Sequence, residues 1–435
     1  MTTDLVKARE TYLAALKPET QGPAWLGDLR AEAFTQFQRL GFPTTKDERW
    51  KYTDLSLYLP GEVKKNTQAP IPTGVLAKLK SHSYDVDKDI WLVFVDGIFS
   101  PEQSLLKPLS PGLEVGSLAV KLEDSKVQNL LGRVALSDQD AFAALNLSAF
   151  RDGFWIFVPE GQTLTETVHA VFLSTQPSPS WVRNLILAGA NSRISVVEHF
   201  LEEAVGPSFA SSVTEINVSA GAQVSHVKIQ EESEQNLHLG QVKARQEAGS
   251  RLTSRVFSFG GKLIRNETET LLADRRASAV LDGLFMARNH QHVDNQTFID
   301  HASAQCACEE NYKGVLDGEA VGIFDGRVLV RENAQKTDAR QSNKNLLMTK
   351  NAKVYSKPQL KIYADDVKCS HGSATGQLDE EALFYLRARG IGPQEARRIL
   401  VAAFAGELVA RLETDDLRRP LEKTFQRWLE ACHAG

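Results

Sequence analysis

The chain has 435 residues, a formal net charge of −5, 42 % hydrophobic and 24 % charged content, the make-up of an ordinary globular protein rather than of a polyanion binder or a disordered chain. Its length exceeds the roughly 250–300 residues at which single cores stop growing, so more than one structural unit is expected. The start, MTTDLVKARETYLAALKPET, has no apolar core of signal-peptide length, and no later stretch reaches about 18 uninterrupted apolar residues, so the chain is expected to be soluble and cytoplasmic, with neither nucleic acid nor membrane as a partner.

The first 60 or so residues read as helical. Leu26, Leu29, Ala33, Phe37 and Leu40 recur at three- and four-residue steps and form one apolar stripe that ends at Gly41 and Pro43. The next stretch, PTTKDERWKYTDLS from Pro43 to Ser56, is polar and aromatic and suits a surface segment folded back on a body.

From about Trp91 the texture turns to short β-rich runs such as WLVFVDG, FWIFVPEG and AVFLST, each closed by Gly, Asp, Ser or Pro. Between about 180 and 375 a phrase recurs: LAGANSRISVVE, VSAGAQVSHVK, QEAGSRLTSRVF and MTKNAKVYSKPQ. Each sets a small-residue or Asn turn before a strand. The turn glycines Gly189, Gly221 and Gly249 are spaced as stacked coils require, which predicts a β-solenoid, with an antiparallel sandwich as the competing reading.

The β texture stops at Gly376. Asp379 is a plausible N-cap, Glu380 and Glu381 occupy the first turn, Arg387 and Arg389 the last, and Gly390 ends the helix DEEALFYLRARG. A second helix starts at Pro393, with Ile399, Leu400, Ala403, Phe404, Leu408 and Leu412 on its apolar face, and a third starts at Pro420. So much apolar surface either docks on the solenoid or meets a partner protein. The resulting division is a helical region over 1–90, a mainly β core over 91–376 and a helical domain over 377–435.

No phosphate loop, dinucleotide fingerprint, nucleophile elbow or zincin helix occurs. Histidines gather in NHQHVDNQTFIDH, where His290, His292 and Asp294 would share a strand face as a first-row metal site, or else belong, with His301, to a ladder of hydrogen-bonding side chains. Four cysteines, Cys306, Cys308, Cys369 and Cys432, are too few for a disulfide framework and contain no Cys-x-x-Cys pair. Cys306 and Cys308 could bind a soft metal or simply end a strand, and Cys432 reads as incidental. In DVKCSHGSATG, Cys369 and His371 stand at i and i+2, so a strand would turn a sulfur and an imidazole to one side. The bland alternative is a buried thiol beside a turn histidine.

The segments PTTKDERWKYTDL and AQKTDARQSNKNLLMTKNAKVYSKPQLKIYADDVKCSHGSATGQLDEEALFYLRARGI, with the helical tail, resemble the SufB/SufD family of iron–sulfur cluster assembly proteins. The SufB branch carries a cysteine where this chain has Leu386, which is neither nucleophile nor soft ligand, while KCSHG is similar to the SufD branch. The resemblance implies a right-handed parallel β-helix core with N- and C-terminal helical regions. It also implies pairing with SufB, a homodimer as an option for the isolated chain, and docking of the ATPase SufC on the C-terminal helices, where Phe384, Tyr385, Arg387 and Arg389 are the candidate contacts. The implied role is a non-catalytic scaffold with no stably bound cofactor. His371 would hold transient iron or a nascent cluster at the SufB interface, with Cys369 as support or auxiliary ligand. The competing function is a β-helix enzyme acting on a carbohydrate or acyl substrate, which would need paired carboxylates or a histidine base in an open groove.

Overall fold

The computed structural model describes residues 3–16, 22–60, 63 and 74–431; Cys432 lies outside them. Helices α1 (Thr3–Ala15), α2 (Ala24–Leu40) and α3 (Val75–Ser81) lead into strands β1 (Ile90–Val95), β2 (Ile98–Phe99) and β3 (Glu114–Ser117). Helices α4 (Ser125–Leu130) and α5 (Ala141–Ala149) follow. The next strands are β4 (Phe154–Val158), β5 (Val168–Ser174), β6 (Pro179–Ala188), β7 (Arg193–Glu202), β8 (Phe209–Val218), β9 (Gln223–Gln230), β10 (Leu237–Gln246) and β11 (Arg251–Ser258). After them come β12 (Leu263–Leu272), β13 (Ser278–Ala287), β14 (His292–His301), β15 (Ala307–Leu316), β16 (Val321–Val330), β17 (Thr337–Leu347), β18 (Lys353–Ile362) and β19 (Val367–Gly376). Helices α6 (Glu380–Ala388), α7 (Pro393–Val409) and α8 (Asp415–Ala431) close the chain.

Odd and even strands go to different sheets. One sheet runs β19-β17-β15-β13-β11-β9-β7-β5-β1-β2 and the other β18-β16-β14-β12-β10-β8-β6-β4-β3. From β5 onward every pairing is parallel and joins strand n to n+2, which is a parallel β-solenoid of about eight turns. The antiparallel sandwich is thereby set aside.

A column of residues with positive φ explains the repeat. Gly161, Asn191, Gly221, Gly249, Arg276, Gln305 and Lys336 all lie in the left-handed region at the same corner of successive coils. The amide of each bonds the coil above, as in Gly221 N to Ala248 O at 2.8 Å and Gln305 N to Gln335 O at 2.8 Å. Glycine occupies this corner without strain, and Asn tolerates it best of the others. The sequence reading matched Gly221 and Gly249 to the corner but took Gly189 for their equivalent, where the left-handed residue is Asn191.

Both outer faces are covered over much of the column, so the middle strands are buried at nearly every position, and many of the side chains they bury are polar and hydrogen-bonded. Helices α1, α2 and α5 bury Phe37, Phe42, Phe142 and Leu145 against Leu185, Leu239 and Leu263 of the even sheet. On the odd sheet, Val401, Ala405, Leu408, Leu421 and Trp428 of α7 and α8 pack on Val227, Phe257, Leu284 and Val315. The buried face of α7 is Ala396, Val401, Ala405, Leu408 and Val409, so it is rotated from the predicted one, and Ile399 and Ala403 point to solvent. An apolar run all round the helix leaves its period ambiguous, and small alanines permit the closer approach. Helix α8 starts at Asp415, ahead of the predicted Pro420, because Asp415 and Asp416 favour its first turn.

The Pro43–Ser56 stretch forms a strap on the even sheet. Arg49 pairs with Glu267 (3.1 Å) and Glu269 (2.7 Å) of β12, and the Arg265 guanidinium lies 3.8 Å from the Trp50 ring centroid. Thr53 Oγ1 donates to Asp294 Oδ2 of β14 at 2.6 Å. Burial opposes ionisation of Glu267, but Arg49, Arg265 and Lys243 together hold its carboxyl well below the usual range. Among the described residues no helix is long and apolar enough to cross a membrane.

Candidate functional site

Strand β19 is the outermost strand of its sheet: it pairs with β17 on one side and, among the described residues, with no strand on the other. Registration across the last coils stacks Ala279, Cys308, Ala339 and Cys369 in one inward ladder and Leu281, Glu310, Gln341 and His371 in the next. Cys369 and His371 therefore share the inward face of the last rung, as i, i+2 spacing requires. Cys369 is half-buried, packed with Leu360 and Val367 on the apolar cluster below, and burial raises its thiol pKa. His371 is exposed, because no further coil covers it.

The rungs beneath carry unusual chemistry for a solenoid interior. Glu310 is fully buried and accepts from Gln341 Nε2 at 2.7 Å. Burial pushes its carboxyl up to about 7, against the hydrogen bonds from Thr297 and Gln341. Opposite stands Gly326, where a Cβ would come within 2.3 Å of Gln341 Nε2, so only glycine leaves room for the amide. At the mouth, Ser356 Oγ of β18 and Ser373 Oγ of β19 lie 2.7 Å apart and tie the two final strands together.

The other candidates disperse. His290 sits in the turn before β14, largely exposed, 3.3 Å from Glu319. His292 and Asp294 share the outer face of β14, where both take Thr53 of the strap, so the three do not converge. His301 faces the interior, its Nε2 3.2 Å from Cys308 Sγ, and burial holds it down to about 4. Burial also pushes the Cys308 thiol up, which makes it inert rather than nucleophilic. Cys306 donates to Asp274 O at 3.2 Å and does not join Cys308. Two rungs of about 4.8 Å separate Cys308 from Cys369, beyond disulfide reach. Among the described residues no three His, Cys, Asp or Glu side chains converge on a metal position.

Several coil-region carboxylates are engaged in buried or partly buried ion pairs. Glu215 takes Arg183 at 2.7 Å with both side chains fully buried, and also accepts the amides of Gly132, Val134 and Ala135. Asp294 pairs with Arg265, and Asp282 with Arg255 and Arg411.

A second feature lies on α6. Leu383 anchors the helix, while Phe384 and Tyr385 are 73 % and 59 % exposed beside a groove of 830 Å³ lined also by Leu386, Ile399 and Leu400. Arg389 covers the Tyr385 ring at 5.2 Å, and Arg387 is exposed in the last turn.

The molecule is thus a parallel β-solenoid with an exposed terminal coil, with Cys369 and His371 on its last rung and an exposed aromatic helix following it. Residues 171–404 match the family described as SUF system FeS cluster assembly, SufBD core domain, and residues 14–170 match the SufBD protein N-terminal region. The chain belongs to the SufBD family of iron–sulfur cluster assembly proteins. It is 30 % identical over 390 residues to the iron–sulfur cluster assembly protein SufD of Escherichia coli, covering 88 % of each chain. It is 28 % identical to a SufBD family protein of Synechocystis (88 % of this chain, 87 % of the relative) and 28 % identical to a chloroplastic protein of Arabidopsis thaliana (87 % and 80 %).

Proposed function

We propose that this chain is the SufD-type scaffold of a cytoplasmic cluster-assembly complex, pairing through β18 and β19 with a SufB-type partner. The observation that carries the reading is the half-complete donor set: one imidazole and one thiol on the inward face of an unpaired edge strand. Iron–sulfur centres take about four protein ligands, with histidine able to replace cysteine. Two donors at an open end therefore suit a site that a second protein completes. His371 supplies a nitrogen to substrate iron or to the nascent cluster, and Cys369, half-buried with its proton held, acts as support or auxiliary ligand.

The exposed Phe384 and Tyr385 on α6 suit docking of the ATPase SufC, with Arg387 and Arg389 rimming the contact. Hydrolysis of ATP then belongs to that partner, and this subunit carries no turnover of its own. The test is cluster content in cells whose sole copy carries His371→Ala, with copurification of both partners. Loss of clusters from an intact complex supports the site; normal cluster content removes His371 from the chemistry.

A further inference from the structure

The strap reaches further than the middle of the solenoid. Beyond its anchors on β12 and β14, Tyr52 stacks on Tyr355 of β18, ring centroids 4.4 Å apart and planes 13° from parallel, and Glu48 pairs with Lys357 of the same strand. Strand β18 is the outermost strand of the even sheet. It has one neighbouring strand where inner strands have two, so half of its stabilising ladder is missing. Directly between Tyr355 and Lys357 in sequence stands Ser356, whose hydroxyl turns to the opposite, inward face and meets Ser373 Oγ at 2.7 Å, two residues from His371. Contacts thus run without a gap from the strap, through β18, to the strand that carries the imidazole.

The geometry points to Glu48 and Tyr52 as positioning residues that clamp the terminal coil from outside and so hold the His371 strand in one place. This inference rests on the reading of the terminal coil given above. The strap is suited to the task because the residues between its two contacts are firmly fixed: Arg49 is held by two carboxylates and Trp50 is buried in the helical core. Only the two contacts to β18, Tyr52–Tyr355 (37 % and 39 % exposed) and Glu48–Lys357, sit at the rim. An edge strand tethered at its outer face opens less often, and local opening is what amide exchange reads.

The test is hydrogen exchange on the intact purified chain carrying Glu48→Gln and Tyr52→Ala. Amides of 353–376 are expected to exchange about 3- to 10-fold faster, the range an aromatic pair supports, while β12 and β14 keep their parental rates. Tyr52→Phe, which keeps the stack, restores slow exchange, and Tyr355→Ala reproduces the effect without adding to Tyr52→Ala. Unchanged exchange over 353–376, or an equal rise everywhere, overturns the clamp. In cells the double variant is expected to lower cluster content with the complex intact; faster exchange with full cluster content overturns the positioning role. His371→Ala serves as the separating control, since it leaves exchange at the parental level. If it also leaves cluster content normal, the reading of the site fails while the clamp stands.

Discussion

Glu310 is a carboxylic acid buried in the interior of the solenoid. Its carboxyl is raised to about 7 by burial, so the folded chain keeps a proton that the unfolded chain releases near pH 4.5. Stability contributed by that proton is complete at low pH and is lost as the pH rises through about 7. Replacing Glu310 with Gln removes the slope. E310Q is therefore expected to match the parent near pH 4 and to exceed it near pH 8 by roughly 3 kcal/mol, measured as denaturant midpoints at the two pH values. A variant weaker than the parent at pH 8 would contradict this. Arg183 gives the opposite expectation: Arg183→Leu leaves the Glu215 carboxylate buried without its partner and is expected to cost about 3–5 kcal/mol, read from the same midpoints.

At the scale of elements, α6 and α8 separate docking from stability. Trp428 of α8 is 5 % exposed and packs on the odd sheet, so Trp428→Ala is expected to cost about 3–5 kcal/mol and to make the segment after Gly392 sensitive to limited proteolysis. Phe384 of α6 is 73 % exposed, so Phe384→Ala should change stability by no more than about 0.5 kcal/mol while abolishing copurification of the ATPase. Retained copurification would move the ATPase contact off α6. Much of this level was legible beforehand. The stripe of α2, the Asp379 cap, whose side chain accepts from Glu381 N, and the repeating turn are local signals set by backbone chemistry. The face of α7 was not, because apolar residues surround it and only the sheet decides which are buried. The strap's partners were not legible either: Arg49 and Glu267 are distant in sequence, and only the coiling brings them together.

The whole molecule is a column closed at one end and open at the other. Helices and the β1–β2 hairpin cover the early coils, whereas β18 and β19 end with unpaired edges. Exposed edges recruit strands, so the isolated chain is expected to dimerise with rising concentration and to yield a one-to-one complex when a SufB-type chain is present, as light scattering would measure. A monomer at every concentration, unchanged by that chain, would remove the edge as an interface. The site was half legible in sequence: i, i+2 spacing places Cys369 and His371 together, but their position on the last rung follows from counting coils in three dimensions. The same counting dissolves the His290, His292 and Asp294 cluster, whose spacing looked equally good. The central claim is that His371 meets the metal at this open end. Pulsed EPR of the reduced, cluster-loaded complex, with this subunit labelled in ¹⁵N-histidine, tests it most directly. A ¹⁵N coupling that disappears in His371→Ala is the predicted result, and a coupling absent from the parent or unchanged in the variant would contradict it.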